Sequence, residues 1–94
     1  MDATQIELTL EPENNAALRE FCGPHDDNLN QAGALASARI VRQGFRLTLM
    51  GEEGANLLRL KTLLERLYVE AMAGAVNSEQ IHRLWMAGAQ LNGA

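Results

Sequence analysis

Seven apolar side chains, Leu57, Leu60, Leu63, Leu64, Leu67, Tyr68 and Ala71, recur at helical spacing within residues 55–72. Such a stripe commits the segment to a helix with one buried face, and that face needs a surface to lie on. A chain of 94 residues has room for one core only, so the rest of the same chain must supply the surface. Two segments can. Ile6, Leu8 and Leu10 alternate with Glu7, Thr9 and Glu11, the period-two pattern of a strand with one dry face. The same period returns from Ala38 to Met50. With Gln43-Gly44 as the turn, Ile40 faces Leu47 and Ala38 faces Leu49 on one side, while Val41 faces Arg46 and Arg39 faces Thr48 on the other. A three-stranded antiparallel sheet with helices on one face follows.

Punctuation between these segments supplies more helices. Either Asn14 or Asn15 can cap a short helix whose inward residues are Ala17, Leu18, Phe21 and Cys22, and Gly23-Pro24 stops it. Asp26 and Asp27 suit the start of a second helix, as caps and as charges at its positive end, with Leu29, Ala32, Leu35 and Ala36 as its stripe. Its small residues permit close approach to a neighbour. Asn77 with Gln80 three residues on forms a capping box for a last helix carrying Ile81, Leu84, Trp85 and Ala89, and the chain ends in the linker-like residues 92–94. Aromatic residues make up only 4% of the chain, so the core must be mostly aliphatic.

The order is strand, helix, helix, strand, strand, helix and one extra helix. This α+β arrangement resembles a type I K-homology (KH) domain, in which a Gly-x-x-Gly loop between the first two helices clamps single-stranded nucleic acid. The expectation is one KH-like domain over residues 1–94. The loop at that place reads Gly23-Pro24-His25-Asp26, with a carboxylate where the second glycine belongs. A helix stop followed by a helix start accounts for it better than a phosphate clamp does.

Charge narrows the partners. The net charge is −4, yet residues 1–30 hold seven acids against Arg19 alone, whereas residues 31–49 hold Arg39, Arg42 and Arg46 and no acid. Affinity for an anion must therefore be local. Gly23, Pro24, His25, Arg39, Arg42 and Arg46 are the candidate contacts to nucleic acid or a protein partner. His25 and His82 are far apart in sequence and assemble no acid–His–nucleophile set, Cys22 reads as a packing residue, and His25, Asp26 and Asp27 make a poor metal cluster. No catalytic, metal or cofactor site is expected. One cysteine, no leader-like apolar run at the start and no stretch near the roughly 20 residues that cross a bilayer give a cytoplasmic domain without a membrane partner as the expectation.

Five stretches, IELTLEP at Ile6–Pro12, NAALREFCGPHDDNL at Asn15–Leu29, Phe45–Gly51, LYVEA at Leu67–Ala71 and SEQIH at Ser78–His82, together resemble the N-terminal segment of PhoH-like proteins, a bacterial family of P-loop ATPases. The most specific element is CGP-x-D-x-N-L at Cys22–Leu29, followed by the LYV run at Leu67–Val69. The hairpin turn is shorter than is usual in the family, and Met72–Asn77 lacks a longer linker. The resemblance implies a degenerate KH-like domain that precedes an ATPase domain in a protein linked to RNA metabolism. These residues contain no Gly-x-x-x-x-Gly-Lys-Ser/Thr, so the ATP and Mg contacts implied for the parent protein have no positions here to inherit them. The implied partners are the ATPase domain and RNA or an RNA-processing protein, with homo-oligomers formed through the parent. Two functions follow as expectations: a protein-interaction or assembly module, favoured by the acidic first half and the degenerate loop, and a weak single-stranded RNA-binding module.

Overall fold

A computed structural model describes residues 4–93, with side chains through Gly88. The chain runs β1 (Thr4–Thr9), α1 (Asn15–Cys22), a 3-10 turn (Pro24–Asp26), α2 (Asp27–Ala36), β2 (Arg39–Gln43), β3 (Arg46–Gly51), α3 (Gly54–Ala73) and α4 (Ser78–Gly93). The sheet is antiparallel with the order β1-β3-β2, so both β1 and β2 are edges. The α+β class and the strand–helix order read from the sequence are those of the structure.

Each helix begins or ends where its residues dictate. Asn14 caps α1, its side-chain oxygen accepting from the Ala17 N–H at 3.0 Å. The Asn77–Gln80 box closes reciprocally over the start of α4, Gln80 N–H to Asn77 Oδ1 at 2.9 Å and Asn77 N–H to Gln80 Oε1 at 2.8 Å. Asp26 does not cap α2 as expected: its backbone is left-handed and its side chain makes no cap hydrogen bond. Asn92 and Gly93, read as linker-like, are instead helical, because α4 continues through Gly93. Ala89, assigned to the inward stripe of α4, falls among the side chains outside the described set, as does residue 94.

The hairpin register differs from the expected one by one turn residue. Gly44-Phe45, not Gln43-Gly44, forms the turn, and Ile40 lies opposite Leu49, Val41 opposite Thr48 and Arg42 opposite Leu47. Gly44 has the positive φ of 61° that such a turn needs. Moving the turn by one residue moves each cross-strand partner by two, so every side chain keeps its face while its neighbour changes. Phe45 explains the choice: its ring packs against the core, and its carbonyl accepts the Leu10 N–H at 2.8 Å, tying the turn to the end of β1.

All seven stripe residues of α3 are buried, and α3 lies across β1 and β3. α2 covers β2, α1 packs on α3, and α4 packs on α2 and α3, with no contact to the sheet among the described residues. The core joins Leu8, Leu10, Leu47 and Leu49 of the sheet side to Phe21, Leu60, Leu64, Leu67 and Ile81, with Ile6 and Ile40 half-buried at its margin. Gly33 shows why α2 is built from small residues: a Cβ there would sit 2.8 Å from the Ala38 carbonyl oxygen. Tyr68 stands edge-on to Phe21 at 5.7 Å, and its hydroxyl donates to the Pro12 carbonyl and accepts the Asn14 N–H. Arg59 clasps α4, its guanidinium 3.6 Å above the Trp85 ring and donating twice to the Trp85 carbonyl. Among the described residues no helix is long and apolar enough to cross a membrane.

Candidate functional site

The α1–α2 corner is a stiff turn. Gly23 takes φ 75°, its N–H donates to Arg19 O at 3.0 Å, and the buried Asn28 side chain donates to Glu20 O at 3.1 Å. A Cβ on Gly23 would lie 2.9 Å from the Asn28 side chain, so packing within the corner already requires glycine, in addition to the positive φ. His25 (φ 54°) and Asp26 (φ 57°) follow in consecutive left-handed conformations. The Asp26 N–H closes on Gly23 O at 3.2 Å. Position 26 thus holds a left-handed backbone, which glycine adopts freely, while bearing a carboxylate, and aspartate tolerates that conformation better than most residues.

This corner forms one end of an open groove of about 430 Å³. α1 contributes Leu18, Arg19 and Cys22, the corner contributes Gly23 and Asp26, and β2 contributes Arg42. Arg42 reaches the groove because its register partner is the buried Leu47, which puts it on the helix side of an edge strand. Its Nη1 also donates to Gly44 O at 3.1 Å. Cys22 is buried beneath the groove, and burial pushes its thiol above the ordinary value; the Arg42 guanidinium pulls the other way, and Asp26 adds to the rise. Both charges are therefore close enough to act on the floor.

Of the candidate contacts, Gly23 and Arg42 line the groove, and Pro24 and His25 are exposed on the 3-10 turn beside it. Arg39 and Arg46 do not join them. They sit on the opposite, helix-free face of the sheet, where register places Arg39 beside Met50 and Gln5, and Arg46 beside Thr9 and Gln43. The three arginines that look like one cluster in sequence are two groups, because neighbouring strand residues alternate in face. Arg19 was missed as a groove residue. The signal was present, since it lies four residues before Gly23 on the helix that ends at the corner, one turn away.

A second opening, about 560 Å³, lies between α2 and α4 and is lined by Gln31, His82 and Met86 among others. It holds none of the sequence-selected residues. Among the described residues no group of three or more His, Cys, Asp or Glu is placed to hold a metal ion. No family model matches the chain, and no solved structure matches it.

Proposed function

We propose that this chain is a non-catalytic recognition domain, a protein-interaction or assembly module that works through the groove between α1, the Gly23–Asp26 corner and β2. The observation that carries the reading is Asp26. Its left-handed backbone keeps the corner's shape, but its carboxylate stands where a phosphate clamp needs bare backbone, and a carboxylate close to a phosphate is repelled. The groove mixes Arg19 and Arg42 with an acid and the apolar side chains of Leu18 and Cys22, a lining suited to protein side chains. The KH-like order, together with the resemblance of Cys22–Leu29 to PhoH-like proteins, supports the finer reading of an accessory domain in a cytoplasmic, bacterial, RNA-linked protein whose ATP and Mg chemistry belongs to a separate ATPase domain.

One observation favours weak single-stranded RNA binding as the second reading: Arg19 and Arg42 converge on an apolar floor, which would take a base while the guanidiniums meet the backbone. Titrating a 12-nucleotide oligo-U into the chain at two salt concentrations separates the two. The interaction module binds it more weakly than roughly 100 μM, the level of non-specific contact, and loses that binding as salt rises. Submicromolar affinity that persists at the higher salt overturns the proposal.

A further inference from the structure

We infer that the groove receives an extended, acidic segment of a protein partner, added to the sheet as a further strand on the free edge of β2. This rests on reading the groove as a protein-recognition site. Among the described residues the order β1-β3-β2 gives β2 a strand partner on one side only, so the backbone groups of Arg39–Gln43 that point away from β3 have no ladder there. The strand is worn accordingly: of its five residues only Ile40 is even half-buried. A strand laid on this edge would have β2 on one flank and α1 above its inner face, because Arg42 of β2 and Leu18, Arg19 and Cys22 of α1 line the same groove.

Alternation along such a strand dictates its chemistry. Side chains pointing to the helix layer enter the space floored by Leu18 and Cys22 and flanked by Arg19 and Arg42. Those pointing the other way lie beside Arg39 and the exposed Val41. Arg19 and Arg42 against Asp26 on the groove side, and Arg39 on the strand's other face, give this edge a basic bias in a chain whose net charge is −4, so acids interleaved with small apolar residues complement both faces. Main-chain pairing supplies the attachment and side chains the selectivity. Single-stranded RNA has no peptide ladder to offer the edge. The other free edge of the fold, β1 of a second copy, offers a single acid, Glu7, and is the competing occupant.

The test uses an eight-residue fluorescent peptide alternating valine and glutamate, and its counterpart with lysine for glutamate. Anisotropy is read with the wild-type chain and with Arg19→Glu/Arg42→Glu, whose folding is checked by Trp85 emission. The inference expects the glutamate peptide to bind at least about tenfold more tightly than the lysine peptide, and the charge reversal to invert that order. Amide shifts should map to Arg39–Gln43 and α1. Equal affinity for the two peptides, shifts confined to another face, or self-association of the chain through β1 and β2 overturns it. Preference of the wild type for the lysine peptide in this groove removes the acidic strand but leaves the recognition groove standing. Submicromolar oligo-U binding with neither peptide bound removes both.

Discussion

Asp26, Cys22 and Arg42 meet at one corner, and their chemistry is set by backbone and burial more than by residue type. The left-handed conformation at Asp26 is one that glycine adopts freely, so Asp26→Gly should leave stability within about 1 kcal/mol of wild type, the relief of strain offsetting the freer unfolded chain. Cys22 gives a pH test. Its thiol keeps its proton to higher pH in the folded than in the unfolded chain, so its contribution is whole below the ordinary value of 9.0 and is lost as pH rises above it. Urea midpoints measured from pH 7 upward should fall more steeply above that point for wild type than for Cys22→Ala. An equal slope in both proteins would mean the thiol is hydrated from the groove.

The elements differ in how they are held. α3 is fastened by its whole stripe to the sheet, and Leu64, with no exposed surface, is at its centre. Leu64→Ala should cost about 2–5 kcal/mol in denaturant unfolding, enough to threaten a domain of this size. Among the described residues α4 has no contact with the sheet, and it is held by Ile81, Trp85 and the Arg59 clasp. Arg59→Ala should cost about 1–2 kcal/mol and shift the emission of Trp85, the only tryptophan, to the red. Unchanged emission would show that α4 docks without the clasp. The helices were legible in sequence because a one-sided stripe and an Asn cap are local signals: the α3 stripe, the Asn14 cap and the Asn77–Gln80 box all reappear in place. The hairpin turn was not, because either register keeps Ile40, Leu47 and Leu49 inward, and only the tertiary seat of Phe45 against Leu10 decides between them.

At the scale of the whole molecule, the fold sorts charge that sequence order leaves mixed. Arg42 turns to the helix side and joins Arg19 and Asp26, while Arg39 and Arg46 turn to the open sheet face with Glu7 and Val41 between their rows. Two of the six candidate contacts read from the chain line the groove, Gly23 at the corner and Arg42 opposite. Arg19 is legible only as a neighbour of Gly23, one turn away on α1; that Arg42 meets it there is not, because β2 is distant in sequence and reaches the groove only through the fold. On the proposed reading one carboxylate decides what the groove prefers, and Asp26→Asn tests this most directly, since asparagine keeps the left-handed backbone and removes only the charge. The measurement is the oligo-U affinity of Asp26→Asn relative to wild type at low salt. If the carboxylate is what turns this corner away from phosphate, the variant binds roughly three- to tenfold more tightly, the effect of removing one repulsive charge near a surface site. Equal or weaker binding by Asp26→Asn would contradict the account.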